Sequence, residues 1–432
     1  MSWGRQMDKE NGRTMVSDMG RAGEMVQTSL KKRMLLLILA MSMFGFGDTV
    51  LERKVLSDSA SVNCSHITWI KMFLTQRSNT PFVLTKQEFP MDTTLPTPYR
   101  LYIPNNVVEV IKNEFGSYLG GFVNNDDLIL VFVRENLSFY DVQKGFKCIN
   151  SIDVSAHGGY PGQIIMVPEA SGRYYLLSSC DMAANMFIAM ISGGHGDFYE
   201  KPYLSEIKGA EVSPEWKIDY GGKRKESYLI QEVMGGKKII HFLGLRGRIA
   251  IGSGVRRGPG ILYYAGYDPE KKKTVQNYNL FEIKDYRRGS GEDFGQLSMS
   301  SKENNVFVVF TQEICPPGKT NFLDGIISNI YYFQYCNKTA GKTVQIAKGF
   351  TPLVKLDSTS KVYIFYVDYA GNLICKTKQG DTWGNDKTIL VGVDIFPVKV
   401  YIAAEFDSED NLHLVYPSKG SLIYEKRKLS EN

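Results

Sequence analysis

Short apolar runs rich in Val, Ile, Tyr and Phe recur along the carboxyl-terminal third, separated by clusters of Asp, Asn, Ser and Gly. Val362-Tyr-Ile-Phe-Tyr-Val367 and Leu412-His-Leu-Val-Tyr416 are two of them. β-branched and aromatic side chains suit a half-buried pleated surface, and the flanking residues suit tight turns. The pattern predicts strands joined by turns, and long Ala/Leu/Glu-rich helical stretches are missing.

The runs repeat in register. In residues 357–375 and 407–424, Asp-Ser opens a turn and a strand ends on Tyr366 or Tyr416. A short loop with Gly371 or Gly420 follows, and a second strand starts Leu-Ile. Ser301–Phe310 fits the same frame upstream, and Asn125–Phe132 fits it more faintly. A period of roughly 40–56 residues, each unit built of turn, strand, turn and strand, is that of a β-propeller blade. Residues 100–432 at this period make about six blades. Residues 48–99 read as an irregular lead able to supply a closing strand. A β-sandwich of the same strands is the competing all-β architecture.

Composition agrees, with 25 Tyr, 23 Phe and 41 Gly. The 51 basic and 46 acidic side chains leave a formal net charge of +5. That is too even for nucleic acid, which calls for a concentrated basic face.

The amino end adds a destination. Lys31-Lys-Arg33 precedes the apolar run Met34–Phe44, then Gly45-Phe-Gly47 and Asp48. A basic flank, a short apolar core and small residues before a cut form a signal peptide, so residues 1–47 are expected to leave and the mature chain to begin at Asp48. The alternative is a type II anchor formed by residues 34–47. After cleavage no further membrane span is expected. Asn63, Asn136 and Asn337 each open an Asn-x-Ser/Thr glycosylation acceptor. The even set Cys64, Cys148, Cys180, Cys315, Cys336 and Cys375 suits disulfides in an oxidising compartment. Cys315 and Cys336 follow and end two strands and are expected near the same end of a long loop, where they could be bridged. Localisation is therefore read as secreted or extracellular.

The repeat resembles the blades of sialidase-like and fucose-lectin-like propellers. Gly380-Asp-Thr-Trp383 has the second half of their Asp box, but Lys376 and Lys378 stand where Ser and Asp belong. The sialidase resemblance implies three arginines around a substrate carboxylate, since guanidinium forks match carboxylates. Tyr99-Arg100-Leu-Tyr-Ile-Pro104 is similar to their Arg-Ile-Pro with two extra residues. Arg256 or Arg257 would supply the second arginine and Arg287 or Arg288 the third, with Tyr264 counted among the ligand-binding residues. Gly295-Gln-Leu-Ser298 lacks the nucleophilic Tyr. These residues imply recognition of a glycan or an extracellular partner's surface without catalysis, and without metal or cofactor. A sialidase-like glycoside hydrolase and a structural surface antigen are the alternatives.

Overall fold

The computed structural model describes residues 48–57, 67–87, 99–103, 108–111, 115–124, 126–154, 160–166, 173–180, 201–208, 211–212, 216–218, 227–247, 257–287, 292–315, 325–394 and 401–430. Residues 1–49 with 429–432 form one compact unit and Val50–Lys428 the other. In the first, Ser430 N–H donates to Asp48 Oδ1 at 2.8 Å.

The second unit is a propeller. Strand β1 (Thr49–Ser57) opens the chain. Strands β2 (Ile67–Leu74), β3 (Pro81–Gln87), β4 (Tyr99–Tyr102) and β5 (Val108–Ile111) then make the first antiparallel meander. The second is β6 (Ser117–Asn124), β7 (Asp127–Val133), β8 (Asn136–Asp141) and β9 (Lys147–Asp153). The third is β10 (Tyr160–Met166), β11 (Arg173–Cys180) and β12 (Lys201–Lys208), with β13 (Glu211–Val212) and β14 (Trp216–Lys217) on its edge. A nine-stranded sheet follows. It holds β15 (Ser227–Gly235), β16 (Ile240–Gly247), β17 (Arg257–Asp268) and β18 (Lys273–Arg287), then β19 (Glu292–Lys302), β20 (Asn305–Ile314), β21 (Ile327–Cys336), β22 (Thr339–Ala340) and β23 (Val344–Lys348). Strand pairing joins its two meanders at a single parallel bridge, Tyr286 with Glu292. The next sheet is β24 (Phe350–Leu356), β25 (Val362–Val367), β26 (Asn372–Gln379), β27 (Thr382–Trp383) and β28 (Lys387–Val391). In the last sheet β29 (Ala403–Phe406), β30 (Asn411–Ser418) and β31 (Ser421–Lys428) take β1 on their outer edge. The all-β propeller of six sheets thus stands, with the widest sheet double.

First strands touch in a closed cycle, β2 to β6, β10, β15, β19, β24, β29 and back to β2. They wall the axis. Each sheet lies between two others, so both its faces must be apolar. On β3, Phe82 and Leu84 pack against Leu128, Leu130 and Phe132 of the next sheet, while Val83 packs against Val415 and Leu422 of the previous one. Leu84 and Leu130 are fully buried. Truncating either to Ala would cost about 2–5 kcal/mol.

Two expectations need correction here. Residues 48–99 are no irregular lead, because β2 and β3 open a full meander and a boundary at residue 100 cuts through β4. Cys315 and Cys336 do not share an end of a hairpin. Val306 pairs with Tyr335 and Ile314 with Ile327, so antiparallel pairing puts the two cysteines at opposite ends of β20–β21. About nine residues of strand separate them by roughly 30 Å. No disulfide joins them, and the other described cysteines, Cys148 and Cys375, are in none either. No helix among the described residues is long and apolar enough to cross a membrane.

Candidate functional site

The Asp-Ser repeat shapes one face. Asp357 accepts the N–H groups of Thr359 and Lys361, both at 2.9 Å, and Asp407 accepts those of Glu409 and Asn411 at 2.9 and 2.8 Å. Such a carboxylate folds its own backbone into the turn between first and second strands. The following serine reaches sideways. Ser358 donates N–H and hydroxyl to Asp410, both at 2.7 Å, and Ser408 donates its hydroxyl to Asn79 Oδ1 at 3.0 Å. Arg77 N–H reaches Asp126 at 2.9 Å, Lys302 Nζ reaches the Ser358 carbonyl at 2.5 Å, and Lys237 N–H reaches the Glu303 carbonyl at 3.5 Å. Six of the seven turns between first and second strands are therefore stitched one to the next as a belt along one face, the turn between β10 and β11 lying outside the described residues.

The opposite face carries the long connections. Four of the seven second strands pass to third strands through long segments, residues 88–98, 181–200, 248–256 and 315–326, and the other three through 134–135, 368–371 and 419–420. Most turns on the belt face are far shorter, 126 alone being described between β6 and β7 and 303–304 lying between β19 and β20. Loops set on a rigid scaffold are where binding residues concentrate.

Of the sequence-predicted arginines, Arg100, Arg257 and Arg287 lie in described strands, near the ends that point to this loop face. Arg100 is the second residue of β4, half-buried, opposite Thr85 and Val110. Arg257 is the first residue of β17 and pairs in register with Arg287, the last of β18. Arg256 and Arg288 lie outside the described residues, as does Asn63. Asn136, at the start of β8, is exposed. Asn337 is exposed on the belt face, in a two-residue turn where Asn337 and Lys338 both take positive φ, 51° and 63°.

Tyr264 is a correction. It is fully buried, and its hydroxyl donates to Gln276 Oε1 at 2.5 Å while lying 2.9 Å from His241 Nδ1. Burial raises its pKa, first by desolvation and then through Tyr335 and Tyr278. A side chain so enclosed packs two meanders together and offers nothing to a ligand. The same diagonal recurs in the last sheet, where Tyr424 Oη lies 2.9 Å from His413 Nδ1 and His413 Nε2 lies 3.1 Å from Asp407. Burial disfavours the Asp407 carboxylate, yet hydrogen bonds from Lys426, Asn411 and His413 outweigh it and depress its pKa.

Sequence reasoning missed four charges on the axis. Lys71, Glu232, Lys355 and Glu405 come from β2, β15, β24 and β29, each a strand of the inner cycle. Lys355 and Glu405 form an ion pair. Lys71 Nζ lies 5.4 Å from the centroid of the Phe73 ring. Burial pushes Glu232 up to about 7, against the pull of the Met299 N–H, Lys355 and Lys71. Burial also lowers Lys71, partly offset by Glu232 and Glu405. All four keep some contact with solvent inside the ring while protein surrounds them. A signal existed, a lone charge between apolar neighbours in a strand, as in Ile70-Lys71-Met72 and Val354-Lys355-Leu356. Among the described residues no three His, Cys, Asp or Glu side chains gather to hold a metal ion.

No family model matches the chain, and no curated protein matches it. Among solved structures it is similar to the polysaccharide lyase Uly1, at 10% identity over 86% of this chain and 91% of that one, with a TM-score of 0.49. It is similar to a chain of the mitotic checkpoint complex at 8% identity over 88% and 92%, with a TM-score of 0.45. It is also similar to the β-propeller domain of the Trilobed protease from Pyrococcus furiosus, at 10% identity over 84% and 97%, with a TM-score of 0.41. These likenesses concern the fold alone. The sheet order above carries the propeller assignment.

Proposed function

We propose that this chain is an exported, non-catalytic recognition propeller that binds an acidic glycan or a partner's surface through its loop face. The observation that carries the reading is the asymmetry of the two faces. One is tied into a belt of turn-to-turn hydrogen bonds, and the other bears the long connections together with Arg100, Arg257 and Arg287. A scaffold locked on one side holds the long connections in fixed relation on the other, which lowers the ordering cost of binding. Arginine on such loops favours carboxylate or sulfate.

Export is part of the proposal. The basic flank, apolar run and small residues of 31–47 support removal of that segment, and exposed Asn136 and Asn337 support glycosylation.

A glycan array probed with the secreted protein tests the reading, alongside a fluorogenic sialoside assay. The expectation is saturable binding confined to carboxylated or sulfated glycans, with no turnover. Sialoside turnover would favour the hydrolase. An array blank for every glycan, with no partner captured from an extracellular fraction, would leave the structural-antigen alternative.

A further inference from the structure

The seam between the last sheet and the first holds a cavity that the loop-face reading does not use. Strand β1 is the outer strand of the last sheet, and Glu52, Lys54 and Leu56 alternate onto its half-buried face. With Val83 of β3, Tyr102 of β4 and Tyr424 of β31 they line a space of about 160 Å³. Val83, Tyr102 and Tyr424 close it on the inside, at 2%, 3% and 3% exposure. Glu52 and Lys54 stand at its solvent side, ion-paired at 2.6 Å, with 39% of each side chain exposed.

Protein interiors are close-packed and keep few spaces larger than a water molecule. A cavity of roughly 150 Å³ takes up one benzene ring, so this one has the capacity of a single six-membered ring. Its inner wall offers apolar and aromatic surface, the Tyr424 hydroxyl being engaged with His413 Nδ1 at 2.9 Å. Its charged groups are a carboxylate and an ammonium side by side. Inward charges also keep an open strand edge from pairing, which accounts for the charges but not for the cavity behind them. A neutral hydroxyl donates to the carboxylate and accepts from the ammonium at once. An anionic ligand would meet Glu52 as a like charge, and a cationic one would meet Lys54 in the same way.

We propose that this seam cavity binds a small neutral phenol, its ring against Leu56, Val83 and Tyr102 and its hydroxyl between Glu52 and Lys54. Burial of the ring supplies the affinity. The paired charges fix its orientation and select the hydroxyl over a charged substituent.

The test is a titration of the full chain with phenol, benzoate and benzylammonium, read by calorimetry and ligand-observed NMR. Phenol is expected to bind saturably and at least tenfold more tightly than either charged ring. Leu56→Phe fills the cavity from β1 and should abolish saturable binding. Lys54→Met should weaken phenol about tenfold, the worth of one charge-assisted hydrogen bond. Glu52→Met removes the like charge, so benzoate should then bind more tightly than phenol. Thermal melting checks that each variant folds. If Leu56→Phe does not fold, the preference of Glu52→Met decides. Phenol that fails to saturate, or that binds no better than benzoate, overturns the proposal. So does phenol binding unchanged in Leu56→Phe or Lys54→Met, or a Glu52→Met protein that still prefers phenol. None of these results bears on glycan binding by the loop face.

Discussion

Ser358 donates its backbone N–H and its hydroxyl to the two carboxylate oxygens of Asp410, each at 2.7 Å, and so ties one sheet of the propeller to the next. Asp410 holds a positive φ of 60° to present that carboxylate. Asp410→Ala should lose both bonds in a backbone conformation Ala tolerates poorly, costing about 1–2 kcal/mol. Asp410→Asn keeps one acceptor and the tolerance for that conformation, and should cost less. Urea unfolding of the two variants checks the order.

Glu232 should make stability fall as pH rises. Its pKa is raised from 4.5 to about 7, so the folded state holds the proton more tightly than the unfolded one. The favourable contribution is complete below pH 4.5 and is lost as pH rises through 7. The upper bound is about 3 kcal/mol, and channel water reduces it to the order of 2 kcal/mol. Unfolding curves at pH 5 and pH 8 should show the wild type losing that much more than Glu232→Gln. Parallel loss in both proteins would refute it.

His241 should act in the opposite sense. Burial holds its imidazole down at about 4, against 6.5 for an ordinary histidine. Its contribution is therefore present above pH 6.5 and is lost as pH falls toward 4, by up to about 3 kcal/mol. His241→Gln should flatten the acid limb. The neighbouring backbone is equally constrained, since a Cβ on Gly236 would stand 2.3 Å from His241 Nε2. Gly236→Ala should destabilise by at least about 2 kcal/mol, and a silent Gly236→Ala would mean this packing is wrong.

Cys315 and Cys336 should both react with a thiol reagent in the unfolded protein without prior reduction. Burial raises the Cys336 thiol, with Lys378 opposing, so in the folded protein it should react slowly at neutral pH. A non-reducing peptide map that recovers the two as one linked species would contradict the antiparallel register.

The fold was legible wherever the strand repeat carries its own turn chemistry. Asp357-Ser358 and Asp407-Ser408 announced both the turn and, as the structure shows, the side chain that crosses to the next sheet. The first meander was missed because Thr75–Thr80 makes its turn without that Asp-Ser pair, Thr80 N–H donating instead to Thr75 Oγ1 at 2.7 Å. Alternation showed that Tyr264 lies on a strand but not which sheet would cover it. Arg257 and Arg287, read from the sequence as part of a hairpin, stand at the ends of β17 and β18. The axial charges escaped because a lone charge between apolar neighbours, as in Ile70-Lys71-Met72, marks a position in a strand but not that the strand is the inner one of a ring.

The central claim is that recognition belongs to the loop face and not to the belt face. The most direct measurement compares binding of an acidic glycan, immobilised at fixed ionic strength, by the secreted wild type, Arg256→Ala and Lys338→Ala. Arg256 directly precedes β17 in the sequence, and Lys338 sits in a turn on the belt face. Arg256→Ala should weaken binding by about 1.5–3 kcal/mol, the usual worth of a charged hydrogen bond, with the melting temperature almost unmoved. Lys338→Ala should bind as the wild type does. Equal binding by all three proteins, or a loss confined to Lys338→Ala, would contradict the account.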